Sequence, residues 1–85
     1  MKLPVIKHLI SFVAENDVDY LVETIETLES LTEVSSLKDE ELDVLGEVIS
    51  NLYGAVEVQK SIDAGTPQKE ALNSFMKRVM GAIDQ

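Results

Sequence analysis

The sequence predicts an all-α domain, a four-helix bundle-like arrangement with a long third helix and short antiparallel connections. Two observations predict it. Apolar residues recur at three- and four-residue spacings in four stretches, and proline, glycine or capping residues separate those stretches. The predicted helices cover residues 4–15, 17–31, 37–64 and 67–83. Because 85 residues leave no room for a second domain, we expect one domain with short turns between neighbouring helices.

The first helix is predicted from Pro4, which suits the first helical position because its missing N–H costs nothing there. Its apolar stripe is Val5, Ile6, Leu9, Ile10, Phe12 and Val13. His8, the only histidine, is expected to be a surface or capping residue rather than a ligand or base.

The second helix is predicted to begin after Asn16 as N-cap, with Asp19 at the third position. Its outer face carries Glu23, Glu26 and Glu29, which could contact a basic helix or a divalent cation. Carboxylate-bridged di-metal bundles need a Glu-x-x-His step on two helices, and this chain has no such step. We therefore predict a secondary acidic face here and no metal site.

The third helix is predicted to be the longest element and the centre of the fold. Ser36 is its predicted N-cap, with Asp39 as the carboxylate of a capping box, and Gly65 is its predicted left-handed C′ residue. At about 1.5 Å per residue, residues 37–64 would span roughly 42 Å. Its predicted core stripe is Leu42, Val44, Leu45, Val48, Ile49, Leu52, Tyr53, Ala55, Val56 and Ile62.

The opposite face of the third helix contains small residues spaced four apart, Gly46, Ser50 and Gly54, and the helical wheel places Asp43 and Glu47 beside them. Each interior glycine costs a helix about 1 kcal/mol relative to alanine. One interpretation is that a second helix or an extended ligand approaches this backbone closely. The alternative is that the helix bends or breaks near Gly54, or tolerates the glycines. We predict these five residues as partner-binding or oligomer contacts.

The last helix is predicted to begin at Pro67, with Thr66 as its cap. The side chains predicted to be buried are Leu72, Phe75, Met76, Val79, Met80 and Ile83. Methionine and phenylalanine on one stripe are more typical of a core than of a binding groove.

The charge of the chain is negative and unevenly distributed. The net charge is -9, and the segment from Glu15 to Glu57 holds thirteen acidic residues against Lys38 alone. Nucleic acid and anionic membranes should repel such a chain, so its natural counterpart is a basic protein surface or a cation. The alternative is that the acids serve solubility.

The sequence contains no pattern typical of catalysis. It has no cysteine, no glycine-rich phosphate loop and no nucleophile followed by a suitable base, and Tyr20 and Tyr53 fit the edge of a core. We therefore expect no enzymatic activity and no cofactor.

No uncharged apolar run is long enough to cross a bilayer, and Lys7 and His8 interrupt the one possible signal-peptide core. A cytoplasmic location is expected, because a small cysteine-free domain suits a reducing compartment.

Three segments, KLPVIKHL, LKDEELDVLGEVISNLYGA and GTPQKEALNSFMKRVMG, carry a resemblance to a known family. Nearly the whole chain resembles a small, functionally uncharacterised all-helical family of Bacteroidota. The resemblance implies a helical fold and supplies no catalytic residues.

These observations favour a non-enzymatic interaction or adaptor protein whose acidic middle binds a basic partner.

The shorter helices cannot each cover the third one, so the first two share it end to end, or part of it projects and packs on another copy. We therefore predict a homodimer. The acids at Asp43 and Glu47 disfavour a parallel pairing of two such faces, whereas an antiparallel crossing, or an apolar remainder on the first or last helix, avoids the clash. The alternatives are a bundle that binds a small molecule or a divalent metal, and an acidic inhibitor that mimics nucleic acid.

Overall fold

The structure, a computed structural model, describes the backbone of residues 1–84 and the side chains of residues 1–79. Its four helices are α1 (Leu3–Glu15), α2 (Asp19–Leu31), α3 (Asp39–Asp63) and α4 (Gln68–Asp84). The described part of the chain contains no strand. The prediction of an all-α domain with a long third helix is confirmed.

Helix α3 is the central element, and α1, α2 and α4 each pack against it. The molecule is flat, with principal extents of 43 × 36 × 17 Å. Each helix contributes its apolar stripe to one continuous core. The buried apolar residues are Ile6, Ile10, Val13, Leu21, Ile25, Leu52, Ala55, Val58, Ala71, Leu72 and Phe75.

The turn between α1 and α2 differs from the prediction. Asn16 has an extended backbone and closes α1, since its side-chain amide donates to the carbonyl of Phe12 at 3.0 Å. The N-cap of α2 is Val18, which makes no side-chain cap bond, and Oδ1 of Asp17, one residue earlier, accepts a hydrogen bond from the N–H of Asp19 at 2.9 Å. The prediction of Asn16 as N-cap of the second helix was wrong, and α2 begins at Asp19.

Helix α3 also starts later than predicted, at Asp39. A turn precedes it, closed by a bond from the N–H of Leu37 to the carbonyl of Val34, and Ser36 lies within that turn. The carboxylate of Glu41 accepts the N–H of Lys38 at 2.9 Å, which is the carboxylate half of a capping box. The predicted Ser36 cap was therefore wrong, because the serine belongs to the preceding turn.

The end of α3 follows the prediction closely. Gly65 has a φ of 108°, which is the left-handed region that glycine adopts without a steric cost. The N–H of Gly65 bonds the carbonyl of Ile62, and the N–H of Thr66 bonds the carbonyl of Ser61. This pair of bonds is a Schellman motif. Gly65 is confirmed as the stop signal, and α4 begins just after Pro67.

The fully buried residues of α3 lie in its C-terminal half. Its buried residues are Asn51, Leu52, Gly54, Ala55 and Val58, and none lies between Asp39 and Ser50. Helix α3 has 25 residues, or about 37 Å, whereas the 13 residues of α1 extend about 20 Å. The N-terminal half of α3 is covered less completely, with Leu42, Leu45 and Ile49 half-buried and Val44 and Val48 exposed.

Three residues predicted in the core of α3 are exposed instead. Val44 is 64% exposed, Val48 43% and Tyr53 49%. The periodicity was correct, but a helical wheel assumes that a stripe is covered along its whole length. In α4, Met76 and Val79 are half-buried as part of the core, and the predicted contacts of Met80 and Ile83 lie outside the described side chains.

Candidate functional site

The predicted contact face of α3 is divided into an open part and a covered part. Asp43, Gly46 and Glu47 are exposed, Ser50 is half-buried and Gly54 is buried. Helix α3 is an uninterrupted α-helix through both glycines, so the alternative of a break near Gly54 does not hold. The N-terminal end of this face is therefore exposed to solvent, and its C-terminal end, at Gly54, is buried in the core of the same chain.

Gly54 is the position where other side chains approach the α3 backbone most closely. A Cβ placed there would lie 3.0 Å from Cζ of Phe75, 3.1 Å from Cδ1 of Ile6 and 3.2 Å from Sδ of Met1. The helical wheel placed Gly54 away from the core, and this placement was wrong. Because the chain's own α1 and α4 cover Gly54, a partner would have to displace their side chains to reach it.

Gly46 is the opposite case. A Cβ placed there would meet no atom within 4 Å, so nothing in the described chain requires a glycine at this position. The part of the predicted contact face that stays available to a partner is therefore Asp43, Gly46 and Glu47, with Ser50 at its edge.

Asn51 is a structural residue that the sequence analysis missed. It is 4% exposed, and its Oδ1 accepts a hydrogen bond from the backbone N–H of Lys2 at 2.8 Å. Its Nδ2 donates to the carbonyl of Glu47 at 2.9 Å, so both ends of the buried amide are satisfied. The signal was an asparagine in line with Val44, Val48 and Ala55, where a polar residue needs a specific partner.

The ammonium of Lys2 lies 3.7 Å from the carboxylate of Glu47, beside this buried hydrogen bond. Both side chains are largely exposed, so the ion pair itself contributes little to stability. The pair partly neutralises Glu47, one of the five residues predicted as partner contacts.

The secondary acidic face on α2 is exposed as predicted. Glu23, Glu26 and Glu29 all point outward, and the hydroxyl of Tyr53 donates to Oε2 of Glu29 at 2.9 Å. This bond and, secondarily, the negative charges of Glu29 and Glu26 raise the pKa of Tyr53 above its ordinary value of 10.0. The structure thus brings the acidic face of α2 together with the exposed edge of α3.

The titration of Tyr53 tests this contact. Its pKa is raised in the folded chain, so the contribution of the Tyr53–Glu29 bond to stability is present below pH 10 and is lost as the pH rises through the folded pKa. We expect Glu29→Gln to lower the pKa of Tyr53 towards 10, measured by the ultraviolet absorbance of tyrosinate. Tyr53→Phe isolates the signal of Tyr20 as the control. An unchanged titration in Glu29→Gln would show that the two side chains are not in contact.

A second acidic residue of α3 contacts α4. The guanidinium of Arg78 pairs with the carboxylate of Glu57 and lies 5.5 Å above the ring of Phe75. Arg78 thus joins the two helices beside the covered glycine, and Glu57 is less available to a partner than the acids of α2.

The described residues contain no group of three histidine, cysteine or acidic side chains placed to hold a metal ion. His8 is exposed on α1, at the rim of a shallow groove with Phe12 and Tyr20. Within the part of the chain that the structure describes, no helix has the length and apolar character needed to cross a membrane.

The geometry defines a small all-α domain in which three helices are arranged around one long helix, with an acidic exposed surface. The chain belongs to the family of unknown function DUF6952, which matches residues 1–84. The predicted resemblance to an uncharacterised helical family is confirmed, and the Bacteroidota origin stays a prediction. Comparisons with curated proteins and with solved structures found no match.

Proposed function

We propose that this protein is a non-enzymatic cytoplasmic interaction module, a helical homodimer whose acidic surface binds a basic partner. The observation that carries the proposal is uncompensated charge. Every aspartate and glutamate side chain among residues 1–79 is exposed. Within those residues only two salt bridges form, Lys2 with Glu47 and Arg78 with Glu57.

Two groups of acids are the best candidates for the contact. Glu23, Glu26 and Glu29 form a row along α2, and Asp43 and Glu47 flank the open glycine of α3. Exposed charges that face water contribute little to stability, whereas a complementary basic surface gains from them in association rate and specificity. These acids therefore favour recognition of a partner over a structural role.

Affinity capture from a cell lysate tests the proposal. We expect the immobilised wild-type chain to retain basic proteins at low ionic strength and to lose them as salt screens the charges. The variant Glu23→Gln/Glu26→Gln/Glu29→Gln should retain much less. Gly46→Leu, which adds bulk where the chain leaves open space, tests the α3 face separately.

The matched control is Glu15→Gln/Asp17→Asn/Glu70→Gln, which removes the same charge from exposed positions outside both groups. It should capture as much as the wild type. Recovery of only neutral or acidic proteins, or an equal loss in the control, would contradict the proposal. Release of the captured proteins by added DNA would favour the alternative of an inhibitor that mimics nucleic acid.

A further inference from the structure

Five apolar side chains, exposed or half-buried, form one surface where α1 meets the N-terminal half of α3. We call it the α1–α3 apolar surface, and its members are Val5, Leu9, Phe12, Val44 and Val48. Val5 is 39% exposed and Phe12 38%, and Leu9 is half-buried beside them. Val5, Leu9, Val44 and Val48 line a single shallow groove, which continues through Leu9 to Phe12.

Helix α1 has two apolar stripes and uses only one of them in its own core. Ile6, Ile10 and Val13 are buried against α3. Val5, Leu9 and Phe12 recur at the same three- and four-residue spacing, about 100° around the helix. Val5 and Phe12 are exposed, and Leu9 between them is half-buried against the core. A helix that is apolar on most of its circumference is normally covered on most of it.

Helix α3 also has an apolar side that its own chain covers only in part. The side of α3 that is buried at Asn51, Ala55 and Val58 continues towards the N-terminus as Val48 and Val44, at the same helical spacing. In the C-terminal half α1 and α4 cover this side, whereas in the N-terminal half Val48 and Val44 stay 43% and 64% exposed beside Val5 and Leu9 of α1. The core thus extends past the helices that pack on it.

The dimensions of the molecule indicate how much surface is left to cover. Its accessible surface is 5962 Å², whereas a monomer of 9.4 kDa is expected to expose about 5,000 Å². Its radius of gyration is 13.9 Å, against about 12 Å for a typical domain of this length. The excess area of about 950 Å² is similar in size to the roughly 800 Å² that each partner contributes to a standard interface.

The charges favour a second copy of this chain as the occupant. Helix α1 carries no acidic residue before Glu15, and the side chain that precedes its outer stripe is Lys2, which also pairs with Glu47 of its own chain. Glu40, Glu41 and Glu47 surround Val44 on α3. A two-fold contact that places α1 of each copy on α3 of the other brings the helix with the fewest acidic residues to the helix with the most, twice. Pairing α3 with α3 would bring like charges together.

From the apolar surface, the excess area and this charge pattern, we infer that two copies associate through the α1–α3 apolar surface, with α1 of each copy covering Val44 and Val48 of the other. The inference rests on the homodimer in the proposed function and gives it a location. It leaves the acidic row of α2 outside the contact and free for a basic partner.

The test is the mass of the purified full chain in solution, measured by sedimentation velocity and light scattering over a range of concentrations. We expect twice the 9.4 kDa of one chain for the wild type. Val48→Glu should raise the dissociation constant at least about tenfold, because the contact would have to bury an unpaired carboxylate. Circular dichroism of Val48→Glu should match the wild type, since Val48 lies outside the buried core.

Val22→Glu is the matched control. Val22 is 40% exposed, but it lies on the edge of α2 opposite Tyr20 and Thr24, which border the groove. This variant should stay dimeric. A wild-type mass of one chain at the highest concentration would overturn the inference, and so would a dimer that Val22→Glu weakens as much as Val48→Glu does.

The lysate capture described above separates this inference from the proposed function. A monomeric wild type that still captures basic proteins through the acids of α2 would overturn the dimer surface and leave the interaction role intact. A dimer that captures no basic protein would support the surface and contradict the interaction role. A monomeric wild type whose capture Val48→Glu abolishes would assign the α1–α3 apolar surface to a different protein and overturn its assignment to a second copy.

Discussion

Replacing Gly54 by leucine is expected to destabilise the protein, whereas the same substitution at Gly46 is expected to stabilise it slightly. The Cβ atom of a leucine at residue 54 would already lie 3.0 Å from the ring of Phe75 and 3.1 Å from Ile6. Adding carbon atoms to a packed core typically costs about 1–3 kcal/mol, and four added carbons should reach the upper end of that range. Removing a glycine from a helix returns about 1 kcal/mol. We therefore expect a net loss of about 2 kcal/mol.

Gly46→Leu is the control within the same helix. No atom lies within 4 Å of its Cβ position, so only the gain in helix propensity remains, about 0.5–1 kcal/mol. Urea unfolding followed by circular dichroism, at one chain concentration for all variants, measures the difference. Alanine at residue 54 should be nearly neutral, because its propensity gain and its close contacts oppose each other. Equal stabilities for the two leucine variants would mean that α1 and α4 do not cover Gly54.

Truncating Ile6 to alanine is expected to have the larger effect on stability. Ile6 is 0% exposed and contacts the α3 backbone at Gly54. Removing a buried isoleucine side chain beyond Cβ costs about 2–5 kcal/mol, because the transfer energy is lost and a cavity remains. A domain of this size has a total stability of about 4–13 kcal/mol, so Ile6→Ala should leave a substantial unfolded fraction on mild heating.

The neighbouring residue provides the comparison for Ile6→Ala. Val5→Ala removes an apolar side chain from the outer stripe of the same helix, and in the isolated chain it should cost no more than about 0.5 kcal/mol. In thermal unfolding the two variants should therefore differ strongly when the protein is dilute. If Val5→Ala were as destabilising as Ile6→Ala at every concentration, α1 would be rotated relative to the orientation described above.

The comparison of Ile6 with Val5 also illustrates a limit of sequence analysis in α1. Both residues belong to apolar stripes with the same spacing, and the wheel of this helix shows one broad apolar arc. The sequence therefore predicted the helix and its apolar character correctly. It contained no signal for which part of the arc meets α3, because that choice depends on the position of the other helices.

The glycines of α3 illustrate the same limit for the candidate site. Their spacing indicated a close approach to the backbone, and such an approach exists at Gly54. The neighbours there are Phe75, Ile6 and Met1 of the same chain, while the space around Gly46 is open. Residues that share a helix face can differ in burial, since a face is covered only where another helix reaches it.

The turns between the helices were predictable to different degrees. Gly65 was identified correctly, because a left-handed glycine has a strong local preference that packing seldom overrides. Pro67 was predicted as the first residue of the last helix, and α4 begins one residue later, at Gln68. Asn16 and Ser36 were assigned to the wrong caps. Several polar residues compete at each of those sites, and the choice between them depends on where the helix axis must point.

The sequence by itself determined the four helices, the end of α3 and the excess of negative charge, because these follow from periodicity, backbone preference and composition. Only the tertiary structure decided which half of α3 is covered, how Asn51 is paired with the backbone of Lys2, and which apolar residues stay exposed. The physical reason is that a helix of about 37 Å meets a partner of about 20 Å, and local sequence does not specify where along the longer helix the shorter one packs.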